Sequence, residues 1–160
     1  MTNDPALEKL NRLVGTWDTE ATHPARPGLV IHGSAEIQWL EGKRFLIHRA
    51  RTDQAEFPDS ISIMGFMGRD RVEDPQNPAS NVASESRPCM HYFDSRGVFR
   101  IFDWSIDQVA WRFWRNAPAF SQRFTGTFQR DGQTIEGQSE LCRDDVNWKK
   151  DLQITYRRRR

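Results

Sequence analysis

Between residues 5 and 14 the apolar side chains Leu7, Leu10, Leu13 and Val14 recur at helical spacing, while Glu8, Lys9 and Arg12 occupy the other side. Asp4 has the chemistry of an N-cap, and Pro5 stands at the first helical position, where its missing N–H costs nothing. The spacing predicts one amphipathic helix over 5–14, ended by Gly15 and too short to stand without a surface to lie on. From Gly15 onward the period changes to two. Trp17, Thr19 and Ala21 alternate with Asp18, Glu20 and Thr22 until Pro24, and Ile31, Ala35, Ile37 and Trp39 then alternate with His32, Ser34, Glu36 and Gln38. Further strands are predicted over 43–52, 60–68, 89–93, 98–106, 109–115, 120–129, 134–141 and 148–157, the last with Trp148, Leu152, Ile154 and Tyr156 on one face. Short turns such as Glu41-Gly42 and Arg130-Asp131-Gly132-Gln133 separate them. The stretch 69–88 is the one long connection, rich in proline, and reads as an exposed loop.

About ten strands joined by successive hairpins build an antiparallel up-and-down meander, and closure into a barrel removes its edges. The expected fold is therefore all-β: a single domain over 1–160, with a short N-terminal α-helix and a calycin-like barrel over 15–158. A barrel with that many strands is wider than side chains alone fill, so an internal cavity is expected. A two-sheet sandwich is the competing architecture, but it favours several long crossovers where this chain has one.

Ten Phe and six Trp in 160 residues are enough to build a core. The charges nearly cancel, 23 Lys+Arg against 22 Asp+Glu, so no global field draws the chain to nucleic acid or to an anionic membrane. Arg112, Arg115 and Arg123 do sit among aromatics, but acids neutralise them overall. No apolar run reaches the roughly 18 residues that cross a bilayer. The opening residues lack the basic and apolar segments of a secretory signal, and Cys89 and Cys142 do not form a disulfide scaffold. A cytoplasmic protein with reduced thiols is expected.

Leu13-Val14-Gly15-Thr16-Trp17, a helix end running straight into a strand, resembles the calycin signature, in which G-x-W opens the first strand and its Trp plugs one end of the barrel. That resemblance implies structural roles for Gly15 and Trp17, and a basic residue from the last strand stacked across the Trp: Arg157, or its neighbour Arg158. Together with residues 39–46, 92–97, 120–128 and 148–157, the pattern is similar to an uncharacterised bacterial family of domains of unknown function grouped with fatty-acid-binding-like barrels. No activity comes with that resemblance. Nitrobindin, a ten-stranded haem barrel, looks like a more distant relative; its kind ligate haem with a histidine near the C-terminus, and the closing strand here has none.

His48, mid-strand in Phe45-Leu46-Ile47-His48-Arg49, is either a ligand or acid–base group inside a cavity, or a hydrogen-bonded histidine on a half-buried face. Gln122 shares its face with Phe120, Phe124 and Phe128, and a polar group there needs a neighbour, a water or a ligand as partner. Arg100 lies on the face of Phe102 and Trp104, and Arg115 on that of Trp111 and Phe113. Either arginine, turned inward, suits a carboxylate or another anionic head group. Cys89-x-His91 could be half a zinc site, but two further ligands at suitable spacing are missing. Trp111, Phe113 and Trp114 put aromatics on both faces of one strand, and an outer one would suit a homodimer contact. No nucleophile elbow, phosphate loop or CxxC is present, so no catalytic residue, metal site or cofactor is assigned. The expected function is binding of a small lipophilic or amphipathic ligand in an aromatic-lined cavity, with Gln122, Arg100, Arg115, Trp104, Trp111, His48 and Phe124 as its contacts. The alternatives are a haem-binding nitrobindin-like protein and a filled barrel acting as a structural or interaction protein.

Overall fold

The computed structural model describes residues 5–67 and 87–160. A helical turn, α1 (Pro5–Lys9), tightens into a 3-10 turn (Leu10–Leu13). Ten strands follow among the described residues: β1 (Gly15–Thr22), β2 (Ile31–Trp39), β3 (Phe45–Thr52), β4 (Ser60–Met67), β5 (Arg87–Asp94), β6 (Phe99–Ile106), β7 (Ala110–Arg115), β8 (Ser121–Phe128), β9 (Thr134–Cys142) and β10 (Trp148–Arg158). Each pairs antiparallel with its neighbours in sequence, and β10 pairs with β1 from Trp17–Arg158 to Thr22–Gln153, which closes the barrel. The period-two pattern thus becomes an inside and an outside: Trp17, Thr19 and Ala21 are buried, with Asp18, Glu20 and Thr22 exposed between them.

Three expectations are corrected in detail. The helix over 5–14 is α-helical only to Lys9, and its last turn is 3-10. That tighter turn presents end carbonyls to donors from the barrel, since Trp17 Nε1 donates to the Leu13 carbonyl at 2.9 Å and Arg158 donates to the carbonyls of Val14 and Arg12. The connection 69–88 ends two residues early, because β5 starts at Arg87; Pro88 lies beyond the end of the β5–β6 pairing, where a missing N–H is tolerated. The rest of that connection, Gly68 and the Asp4 cap lie outside the described residues. On β10, a bulge between Lys150 and Gln153 reverses the side-chain alternation. Trp148, expected to share a face with Leu152 and Tyr156, instead stands beside Arg123 on the outer face, with the guanidinium 4.0 Å from the ring centre.

The helical segment shuts one end of the barrel. Leu7, Leu10 and Leu13 are buried against Trp17, Ile37 and Leu46. Arg12 lies 3.8 Å over the Phe128 ring and donates to the Gln108 carbonyl at 2.7 Å, while Trp39 Nε1 donates to Asn11 Oδ1 at 2.7 Å. The expected stack on Trp17 is made by Arg158, 4.1 Å above the ring, and not by Arg157. Arg157 points outward and pairs with Glu20 at 2.7 Å. Gly15, at φ 144°, sits under the Arg158 guanidinium, where a Cβ would come within 2.5 Å of Nη1. The opposite end carries the turns 23–30, 53–59, 95–98, 116–120 and 143–147, and no helix among the described residues caps it.

Candidate functional site

The two walls of the barrel differ in bulk. On β1 to β4 the inward positions of the upper half include the small side chains Thr19, Ala21, Ala35, Ala50, Ser60 and Ser62, with Ile31 and Thr52 near the rim. Facing them from β5 to β8 are Tyr92, Phe102, Phe113 and Phe124, with Phe113 and Phe124 stacked at 4.6 Å between ring centres. Small side chains opposite rings leave a void, and a cavity of ≈260 Å³ opens toward the uncapped end. Its volume matches about nine waters at roughly 30 Å³ each.

Below the cavity the described side chains pack into the core. Trp104 is buried and donates through Nε1 to the carbonyls of Gly65 and Cys89 at 3.2 and 3.1 Å. Trp111 packs against His48, Phe113, Phe124 and Tyr156. Neither indole lines the cavity, so these two expected ligand contacts belong instead to its support. Arg115 is also off the wall and reaches the Phe120 carbonyl at 3.5 Å. His48, Arg100, Gln122 and Phe124 do line it.

The cavity's charge is concentrated at its mouth. Arg123 is paired with Glu140 at 2.9 Å, and Asp151 with His23 at 2.6 Å. Among the described residues, Arg100 and Arg51 have no carboxylate within ion-pair distance. Arg100 instead lies 5.1 Å over the Phe120 ring, whose surroundings also include Arg143 at 4.9 Å. Burial, then the positive charges of Arg115 and Arg96, draw the Arg100 pKa below its usual value. The nearby Asp94 is occupied: Arg96, Tyr92 Oη and backbone N–H groups bond it and hold its pKa at about 2, while burial and that hydrogen bond push Tyr92 up to about 12.

The depth of the cavity has a different character. His48 lies four residues, about 13 Å of strand rise, below the rim residue Thr52. It is 9% exposed, its Nε2 has no hydrogen-bond partner, and loss of hydration lowers its pKa to about 4. Ser62 stands directly across from it on β4, and Thr19 across from Tyr156 on β1 and β10. Burial raises the Tyr156 pKa, so the phenol stays protonated. Gln122 Oε1 is also enclosed without a partner, and a half-turn of its amide would offer the NH2 group to the same space. Each such unsatisfied group costs about 1–3 kcal/mol. Tyr156, Tyr92, Ser62 and Thr19 were not singled out by sequence reasoning, although their parity with Trp17, Ile154 and Met64 marks them as inward.

Trp111 is buried and Phe113 faces the cavity, so the outer aromatic of β7 is Trp114, half-buried across from Asp103 and Arg123. The exposed aromatics are Phe93 and Phe99, 5.1 Å apart on β5 and β6, with His91 edge-on to Phe99 and Ile101 beside them. Cys89 is buried, and burial raises its thiol pKa.

No protein-family model matches the sequence, and no curated protein matches it. Solved structures do. The crystal structure of Rv2717c from M. tuberculosis superposes with a TM-score of 0.62 at 13% identity, covering 99% of this chain and 100% of that one. The S-type phycobiliprotein lyase CPES from Guillardia theta gives 0.52 at 9% identity, covering 96% and 92%. What they share is the fold, which here is a closed, ten-stranded, antiparallel up-and-down barrel. At these identities the likeness concerns the fold alone. No helix among the described residues is long and apolar enough to cross a membrane. The haem implied by the nitrobindin resemblance lacks its expected ligand, because β10 offers no histidine; the histidine lining the cavity is His48, on β3.

Proposed function

We propose that the barrel binds a small amphipathic molecule, with the apolar body against Phe102, Phe113 and Phe124 and an anionic head at Arg100. The observation that carries this reading is an arginine with no acid partner in a cavity whose two carboxylates are both engaged. A carboxylate there would accept charge-assisted hydrogen bonds from Arg100 and relieve its repulsion with Arg115. The volume favours compact acids over long acyl chains. The barrel shape shared with a phycobiliprotein lyase adds the architecture and brings no lyase chemistry.

Tryptophan fluorescence tests the reading, because Trp111 underlies the cavity wall. Phenylpropionate and other compact carboxylates should quench it saturably, and Arg100→Gln should weaken them about tenfold, since a charge-assisted hydrogen bond contributes about 1.5–3 kcal/mol. No saturable response, or equal affinity for the corresponding neutral amide, overturns it.

A further inference from the structure

The described residues bury three polar side chains of the barrel wall, Thr19, His48 and Ser62, and all three line this one cavity. A filled apolar scaffold has no use for them at depth, because a polar group without a partner destabilises the fold. His48 states the case most sharply. Its ring is held by Trp111 at 6.0 Å and Tyr156 at 6.2 Å between centres, and its enclosed Nε2 has nothing to bond. The mouth, by contrast, carries unpaired positive charge at Arg100 and Arg51. The cavity is therefore polar at both ends and apolar between, cationic above and uncharged below.

We infer that the ligand carries a second, uncharged polar group, a hydroxyl or a carbonyl, at the end remote from its anionic head, and that this group docks on the His48 imidazole, a turn of whose ring about Cβ–Cγ brings the enclosed Nε2 to the cavity. The inference rests on the binding reading above and narrows it to bifunctional acids, a hydroxyaryl alkanoate being the simplest. A second carboxylate is excluded at the inner end, because His48 is neutral and no cationic side chain lines that depth; the arginines are at the rim. A neutral imidazole accepts a hydrogen bond at one ring nitrogen and donates one at the other, so a hydroxyl can bond Nε2 in either tautomer, and the Ser62 hydroxyl opposite is of matching character. The stacked Phe113–Phe124 pair facing Ala35 and Ala50 leaves room for an aromatic body between the two polar ends.

The test compares para-hydroxyphenylpropionate with phenylpropionate, which share the head and differ only at the inner end. Titration of the full chain should show the hydroxylated acid binding at least tenfold more tightly. His48→Phe should abolish that preference, and Arg100→Gln should weaken both acids alike. Long-range proton–nitrogen NMR of the unsubstituted protein supplies a readout independent of folding of the variant. The His48 Nε2 resonance should move on adding the hydroxylated acid and stay with the other. Equal binding of the two acids, both needing Arg100, would mean that water satisfies the inner end; the inference then falls and the binding reading stands. If neither acid saturates, both fall. A preference that survives His48→Phe, or an unmoved Nε2 resonance, also overturns the inference.

Discussion

His48 couples the stability of the barrel to acidity. The folded protein keeps its imidazole neutral down to about pH 4, whereas in the unfolded chain it takes up a proton near 6.5. Between those values acid protonates only the unfolded chain, so stability falls as the pH drops from 6.5 to 4 and is unaffected by this residue above that window. The shift corresponds to about 3 kcal/mol. Urea unfolding at pH 7 and pH 4.5 should therefore show a loss of most of that amount in the native protein, and His48→Gln should remove most of the difference. Asp94 acts lower on the scale: with its pKa at about 2, the stabilisation from its bonds to Arg96 and Tyr92 is present above the ordinary carboxylate range and is lost as the pH falls toward 2. That His48 faces inward follows from strand parity with Leu46, yet whether its ring nitrogen meets a partner depends on neighbours from β4, β7 and β10 that no local pattern identifies.

At the level of elements, the seam between the N-terminal turn and β10 rests on one side chain. Arg158 stacks on Trp17 and donates to two carbonyls at the end of the 3-10 turn, whereas Arg157 makes an exposed pair with Glu20. Arg158→Ala should cost about 2 kcal/mol, and Arg157→Ala less than about 0.5 kcal/mol, in chemical unfolding. Equal losses would show that the clamp carries no special weight. The choice between the two arginines was readable, because Arg158 has the parity of Tyr156 and Ile154; the bulge at Lys150–Gln153 lies earlier and reverses only the first part of the strand. The β8–β9 pair makes a second test. Gly126 and Gly137 face each other beside the Phe124 ring, and a Cβ at Gly137 would come within 2.6 Å of it. Gly137→Ala should cost about 1–3 kcal/mol through overpacking and should displace the aromatic wall, seen as a change in near-ultraviolet circular dichroism.

For the whole molecule, the division into a packed lower half and a hollow upper half is the decisive property. Ala50 lines the void without filling it. Ala50→Leu should leave stability within about 1 kcal/mol of the parent, because the added atoms enter empty space, while abolishing the quenching by phenylpropionate. A loss of 1–3 kcal/mol would be the signature of a packed interior instead. The fold class, the strand number, the plug by Trp17 and the in-and-out assignment, except ahead of the β10 bulge, were legible in the chain, since each expresses a local period or a short motif. The cavity wall was legible only in part: His48, Arg100, Gln122 and Phe124 were found, while Trp104, Trp111 and Arg115 were placed one layer out of position.

The reason lies in how a barrel assigns depth. Alternation of apolar and polar residues decides the face of each strand, because successive side chains leave opposite sides of the backbone. Closure by β1 and β10 was favoured by the same sequence, through nine successive connections between antiparallel strands. Height along the barrel axis comes instead from the register between strands, and in the closed sheet it sets Trp111 beneath the void and Phe113 beside it, two residues apart on one strand. Tertiary structure alone brought the small residues of β1 to β4 opposite the rings of β5 to β8, and that juxtaposition of distant segments is what leaves space for a ligand.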